Sequence, residues 1–575
     1  MGTQNKELIS LKKSLPILLL ISLLLLALKY PEPVMTESVT SDLLHRGFIR
    51  ITPEGKIEGT DKISQNGKVY TLTGDLTGDI ITGGIFISIE CDEVVFDGAG
   101  KTLQGTNNGI AIAIYGCDVT IKNTRIVNFG TGIEVGVYTL VANNCIVDNY
   151  FETRYWSIVL RGVNEFVSGN TFNSKNGNAI QFWTNGTTFT HNKFIDCGLN
   201  VMSPGVSNMF LDNTINGEPL VFLEGQSNQV IDGANQVFLV NCTDMVVQNV
   251  ADIGLSESIR FFATTGTKVT NCKAHIELID SSNNILIDNE FSKTGGTWQE
   301  AAVKLLNSDH NMITQNSITG INCCGILCTG SEYNRIEKNN VSSSGVDNRC
   351  SGITLGGCNN YVYENDITSE DYGIAFNRAE YNSVFKNHIS YGKINIIMSS
   401  SLFNDIFGNT FFGATDYAVH LESSDCNNFY WNCFKDNSHV YEIHESYGMT
   451  YTNFSYFAEY NKWDNSKEGN NWSNYTGEDN GTGIGKTPHI VYENFTDNYP
   501  LTQPYDVNKI QVTFKGWDDS PITSTPIPSP SSSSPISIHS LTSISSALFA
   551  IIALLSLIIG LVVAIFILRF TKRAK

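Results

Sequence analysis

Charged side chains are scarce in this chain, at 16% of 575 residues. That excludes a mainly helical protein, which carries more Glu, Lys, Ala and Leu. Cations are scarcer still: 37 Lys and Arg stand against 57 Asp and Glu, for a formal charge of -20. The few cations also gather at the ends, as Lys6, Lys12, Lys13 and Lys29 and as Arg569, Lys572, Arg573 and Lys575. The stretch between is therefore more acidic than the total. A net acidic body repels phosphate backbones, which excludes DNA and RNA as partners. Histidine (10) and methionine (8) are thin and scattered, a poor supply of soft ligands. The 13 cysteines contain no Cys-x-x-Cys pair set, which argues against a structural zinc site. Their odd number leaves at least one thiol unpaired in a monomer.

Long apolar runs occur at the two ends. Lys12-Lys13-Ser14 precedes a mostly apolar run from Leu15 to Leu28, so residues 1–30 read as a secretory signal or an uncleaved signal anchor. Ala547 to Leu568 carries no charge and is long enough to span hydrocarbon. The basic tail 569–575 follows at once and is retained on the cytoplasmic side, which places the acidic bulk outside the cell. Residues 520–546 are rich in Ser, Thr and Pro and read as an extended stalk.

What is abundant is asparagine in a repeat: Asn-x-apolar-x-x-Asn-x-apolar. Close copies begin at Asn208, Asn284, Asn311, Asn334, Asn360, Asn382, Asn404 and Asn427. The second Asn falls at 289, 316, 339, 365, 387, 409 and 432, a period near 22, with weaker marks at Asn213, Asn192, Asn170, Asn144 and Asn123. Leucine-rich repeats share this period but need a Leu lattice that is missing. Alternation of apolar and polar residues, as around Val384, puts one side of each short strand inward. The repeat therefore predicts an all-β parallel β-helix. About fifteen coils at roughly 4.8 Å would build a rod about 70 Å long. Asn tolerates the left-handed backbone of sharp turns, and its stacked amides can form a ladder.

At these residues the chain resembles the NosD-like parallel β-helix family of the pectin-lyase-like superfamily, and most of all its archaeal cell-surface type. Two further segments carry the resemblance. Asn213-Thr-Ile-Asn-Gly-Glu-Pro-Leu220 is similar to the family's turn into an excursion between coils, expected near 216–240. Asn470 to Tyr475, Gly481 to Pro488 and Thr496 to Leu501 look like its closing segment. The resemblance implies a right-handed parallel β-helix. The expected order is an N-terminal cap (31–79), repeats (80–450), a closing segment (451–519), the stalk (520–546), one transmembrane helix (547–568) and the tail (569–575).

The resemblance also frames the chemistry. The pectin-hydrolase motifs Asn-Thr-Asp, Asp-Asp, Gly-His-Gly and Arg-Ile-Lys do not occur together here as a site, nor does the Asp-Pro-His of alginate epimerases. Copper and calcium are implied by resemblance alone. A calcium run in the closing segment is spoiled by Asn480, Thr482 and Lys486. His439, Glu442 and His444 are the tightest His grouping and a weak metal candidate. Tyr430, Trp431, Trp463, Trp472 and Tyr475 are candidates to stack on sugars, or else to plug the open core. Cys323 and Cys350 share a register position and could bridge. Sequons stand at Asn185, Asn241, Asn340, Asn453, Asn471, Asn474, Asn480 and Asn494. Asp288, Glu290, Glu364, Asp366, Glu370 and Asp371 read as a solvated face. The expected function is a glycan-binding or adhesive surface protein. A polysaccharide lyase, hydrolase or epimerase is the alternative, and a copper-handling accessory protein the third reading.

Overall fold

The computed structural model describes residues 48–517, apart from 81–82, 137–138, 176, 255–257, 293–300, 322–323, 344–350, 445–460 and 493–494. The chain is an all-β, right-handed parallel solenoid of about 15 turns. Each turn lays down three short strands, here called faces 2, 3 and 1 in chain order. One turn runs Tyr361–Tyr363 (face 2), Asp366–Ser369 (face 3) and Tyr372–Asn377 (face 1). The next coil pairs with each in parallel register, for example Val362 with Val384 and Ile374 with Ile396. Among the described residues no helix is long and apolar enough to cross a membrane. The predicted span Ala547–Leu568, the stalk and residues 1–30 lie outside the described residues.

Two asparagine ladders flank face 2 and hold the coils in register. In one of them, Asn387 Oδ1 accepts from Asn365 N–H (3.0 Å) and from Asn365 Nδ2 (2.9 Å). Asn387 Nδ2 donates to Val362 O (2.8 Å) and to Asn409 Oδ1 (2.9 Å). Every amide is thus satisfied inside the wall, where Asn365, Asn387 and Asn409 are almost fully buried. The second ladder runs through Asn284, Asn311, Asn334, Asn360, Asn382, Asn404, Asn427 and Asn461. The turn-forming half of the expectation is corrected. Rungs such as Asn365, Asn387, Asn382 and Asn404 do not take the left-handed backbone; the residue before them does, as at Glu364 (φ 55), Lys386 (φ 57), Tyr381 (φ 56) and Phe403 (φ 57). A rung side chain must point into the wall, and a left-handed residue just before it makes the bend.

The excursion expected at 216–240 is a joint between two stacks. The first stack ends at Thr214–Ile215, and the chain reverses at Asn216-Gly217. Glu218–Glu224 then pairs with Gln236–Val240 to start the second stack. The last face 1 strand of the first stack, Gly198–Val201, would expose its edge. Side chains of the second stack cover it. Gln236 Oε1 accepts from Leu199 N–H (3.0 Å), its Nε2 donates to Leu199 O (2.8 Å), and Arg260 donates to Val201 O (2.6 Å). Phe222, Phe238, Val240 and Phe262 pack into the core of the first stack.

At the other end the core is closed by rings. Trp463 stacks on Phe429 (4.6 Å), Trp472 on Phe434 (4.4 Å) and His489 on Trp472 (4.7 Å). The Asn ladder terminates on Asp497, which accepts from Asn470 N–H (2.7 Å) and Trp472 Nε1 (2.8 Å). The described part of the closing region therefore divides into a last coil from 461, a cap ending near Leu501, and a strap from 502 to 517. The repeats also begin earlier than expected, with Val69–Leu72 already paired to Val95–Asp97.

The strap doubles back along face 2. Tyr505 stacks on Trp431 (4.3 Å), Phe514 meets Tyr361 (5.1 Å) and Tyr363 (5.2 Å), and Trp517 Nε1 donates to Tyr333 O (2.7 Å). Beneath it Tyr363, Phe385, Phe407 and Tyr430 stack one per coil at 4.9, 5.0 and 5.1 Å. The Arg335 guanidinium lies over Phe514 (4.3 Å). Phe514→Ala is expected to loosen the strap by about 2 kcal/mol. Limited proteolysis between 502 and 517 should then run roughly thirtyfold faster, with the unfolding midpoint of the solenoid unchanged. An unaltered cleavage rate would show that the strap does not depend on this ring.

Candidate functional site

The corner where face 3 turns into face 1 gathers carboxylates, hydroxyl residues and an exposed ring in the second stack. Three successive coils supply Ser369-Glu-Asp-Tyr372, Ser390-Tyr-Gly-Lys393 and Phe412-Gly-Ala-Thr-Asp-Tyr417. Tyr391 (φ 62) and Gly392 (φ 78) are consecutive left-handed residues, and the kink they make leaves Tyr391 58% exposed. Tyr391 N–H donates to Phe412 O (2.7 Å), and buried Asn395 Nδ2 donates to Tyr391 O (2.9 Å). The Tyr391 ring meets Phe412 edge-on at 5.5 Å.

Beside this ring opens a cleft of about 350 Å³, lined by Ser343, Thr368, Ser369, Glu370, Tyr391 and Thr415 among others. Its hydroxyls are linked: Thr368 Oγ1 lies 3.1 Å from Ser390 Oγ, and Ser343 Oγ donates to Ser369 Oγ (2.8 Å). Asp371, read from sequence as solvated, is corrected: it is only 3% exposed. Lys393 Nζ donates to Asp371 Oδ1 (2.8 Å), while Oδ2 is buried without a hydrogen-bond partner among the described residues. Burial, then the Asp371 charge, pushes the Tyr372 phenol up. Further along, Tyr417 lies between His420 (6.0 Å) and His439 (5.5 Å), and His420 Nε2 is 3.4 Å from Glu422 Oε1. The exposed Tyr391 ring suits the C–H face of a polyol, with Glu370 and Thr415 as the exposed oxygens beside it, while Ser343, Ser369 and Ser390 are buried in the wall behind.

The aromatic candidates from sequence lie elsewhere. Trp463 (1% exposed) and Trp472 (2%) are inside the core plug. Tyr430 is stacked under the strap, and Trp431 is sandwiched by Tyr505 while its Nε1 donates to Glu468 (2.9 Å). Tyr475 donates to Thr487 O (2.6 Å) in the cap. The sugar-stacking expectation is corrected for Tyr430, Trp431, Trp463 and Trp472, whose rings are packed against other rings of the protein, and Trp463 and Trp472 take the alternative role of plugging the core; Tyr475 instead lines a separate cleft with Lys486 and His489. Tyr391 was missed. Its signal was an aromatic-Gly pair at a corner, visible only once the register is known.

His439 joins the aromatic corner. By register Glu442 stands opposite His420 and His444 opposite Glu422. The closing loop holds no spare carboxylate for calcium: Asp479 Oδ1 accepts from Gly481 and Gly483 N–H, its Oδ2 accepts from Thr502, and Lys486 pairs with Glu478. Cys323 and Cys350 lie outside the described residues. The 11 described cysteines are all free. Among the sequons, Asn185, Asn241, Asn340, Asn474 and Asn480 are exposed. Asn471 is not available in the same way, since its Nδ2 donates to Leu501 O (3.0 Å). Asn453 and Asn494 lie outside the described residues.

Residues 235–417 match the family model of NosD, the periplasmic copper-binding protein. The NosD match begins at the joint and ends at Tyr417, so it covers most of the second stack and the cleft at Tyr391. No curated protein matches the chain. Solved structures similar to it include the periplasmic alginate epimerase AlgG (11% identity, 67% of this chain and 78% of that chain, TM-score 0.24). Others are DFA-IIIase from Arthrobacter chlorophenolicus A6 (11%, 62% and 89%, TM-score 0.27) and tailspike protein 3 of bacteriophage CBA120 (12%, 70% and 57%, TM-score 0.29). Copper needs gathered His, Met or Cys donors. Among the described residues no three His, Cys, Asp or Glu side chains converge on one point, and Cys328, deep in the core, is pushed up to about 12 by burial. The described residues do not fit a copper centre.

Proposed function

We propose that this chain is a membrane-anchored extracellular β-helix protein that binds glycan along the corner groove at Tyr391. The observation that carries the proposal is an exposed, rigidly held tyrosine beside a cleft that also presents Glu370 and Thr415. The asparagine ladders make the groove stiff, so binding does not have to order it first. Anchoring follows from the apolar stretch 547–568 and its basic tail, and glycan outside the cell is the abundant polyol a projecting rod would meet.

A glycan array probed with the full-length chain tests the proposal. Tyr391→Asn is the matched variant, because Asn tolerates the same left-handed backbone. It should weaken binding about tenfold and change stability by less than about 0.5 kcal/mol. Equal binding by the variant would remove the groove from the mechanism. The enzymatic alternative is read in the same samples: unsaturated or shortened oligosaccharides would replace binding with catalysis.

A further inference from the structure

We propose that Asn474 carries an N-linked oligosaccharide whose first sugars lie in a cleft of the cap. This rests on the extracellular placement of the chain, since N-linked sugars belong to secreted surfaces. Hydrogen bonding separates Asn474 from the other described sequons. Asn185 Oδ1 accepts from Val206 N–H (2.8 Å), and Asn471 Nδ2 donates to Leu501 O (3.0 Å). Asn480 Oδ1 accepts from Thr482 N–H (2.8 Å) and from Thr482 Oγ1 (2.6 Å). Those three amides are committed. Asn340 stands inside a strand and pairs with Ser317 and Asp366 in the neighbouring coils. The Asn241 sequon is pinned through Thr243, which bridges Ser227 and Thr265. Asn474-Tyr-Thr476 is an exposed turn outside any strand, and the side chains of Asn474 and Thr476 make no hydrogen bond among the described residues.

Asn474 and Thr476 both line a cleft of about 510 Å³, a volume usual for small-ligand sites. Its walls are held together before any sugar enters. Lys486 N–H donates to Glu478 O (2.7 Å), Lys486 Nζ pairs with Glu478 Oε2 (2.8 Å), and Tyr475 OH donates to Thr487 O (2.6 Å). The rings of Tyr475 and His489 line the cleft nearly perpendicular to each other, 6.0 Å apart, and suit the C–H faces of a sugar. His489 also stacks on Trp472 (4.7 Å), so a sugar held here covers the last ring of the core plug. The transfer joins Asn474 Nδ2 to the anomeric carbon of an oligosaccharide carried on a lipid phosphate. The anomeric C–O bond breaks, the lipid phosphate leaves with the electron pair, and one Nδ2 proton is released.

The test takes the full-length chain from the membranes of its own host and reads its glycopeptides by mass spectrometry with site-localising fragmentation. Asn474 should be occupied, and Asn185, Asn471 and Asn480 bare. A bare Asn474 would overturn the site, whatever the other sequons carry. Equal occupancy at Asn471 or Asn480 would show that a hydrogen-bonded amide is no bar to transfer and would overturn the selection. Protease added to intact cells checks the placement separately: a chain that is cleaved there yet bare at Asn474 loses the site alone, and a chain left untouched loses its extracellular placement. Hydrogen exchange across 472–489 should run about threefold faster in Asn474→Gln than in the glycosylated chain. Thr476→Ala, which removes the sequon and keeps Asn474, should match Asn474→Gln. Equal exchange in all three chains would mean that the sugar projects away from the cleft, and would overturn that half of the proposal.

Discussion

Asn387→Leu is expected to cost about 2–3 kcal/mol and to loosen the solenoid at that coil. Leucine fills a similar volume, so packing is not the issue. Asn365 N–H would lose its acceptor inside a dry wall, while Asn365 Nδ2 would keep Ile336 O and Tyr363 O, and Val362 O would lose the Asn387 amide donor. Each buried group left unpaired costs about 1–3 kcal/mol. Stacked coils contact only their neighbours, so a single denaturation midpoint is a blunt measure. Hydrogen exchange of the amides of Val362, Asn365 and Asn409 is the direct one. Protection unchanged in the variant would mean the ladder is ornamental and the apolar core alone sets the register.

Glu165 should contribute a fall in stability as pH rises from about 5 to 8, which Glu165→Gln should remove, against an opposite contribution from His275 and His489, whose burial lowers their imidazoles. Glu165 stands at a ladder rung where other coils have an amide. Asn144 N–H donates to its Oε2 (2.8 Å), and Asn144 Nδ2 reaches its Oε1 (3.3 Å). Burial raises its carboxyl from the usual 4.5 to about 7. A raised acid favours the folded state most when protonated. The contribution is complete below the unfolded value near 4.5 and is lost as pH climbs through about 7. At most about 3 kcal/mol is at stake. Asp497, raised to about 6 by its burial at the end of the other ladder, adds a fall of the same sign at slightly lower pH. Urea midpoints at pH 5, 6.5 and 8 for the two chains would decide it; a profile unchanged by Glu165→Gln would clear this residue.

The repeat made the solenoid legible because a weak signal recurring near every 22 residues outweighs any single propensity. It was less exact in the first stack. Asn123 is the left-handed turn residue (φ 51), and Thr124 holds the rung beside it, donating its N–H to Asn149 Oδ1. Asn144 belongs to the other ladder, where it accepts from Val119 N–H. Asparagine suits both a turn and a rung, so residue type alone cannot tell them apart. The excursion at 216–240 was legible, but the covering of the open edge there was not, because Gln236 and Arg260 act on strands 37 and 59 residues away. The aromatic candidates were found as residues and misplaced as surfaces. Nothing local in Trp431 announces that Tyr505 will lie against it. Asp371 read as solvated because its partner Lys393 sits a full coil later. The groove is a property of register, assembled from residues 22 to 26 apart.

The strap has a mechanical consequence. Because residues 502–517 run back along face 2, the polypeptide leaves the solenoid beside Tyr333 and not at the Trp472 plug. Tension drawn through Trp517 would enter the rod through a flank clasp of rings and the Arg335 guanidinium. The cap would be loaded only after that clasp had been peeled away, contact by contact, toward Tyr505. Under shear such a layout would yield in small steps, with the closing coil as the last part to be strained.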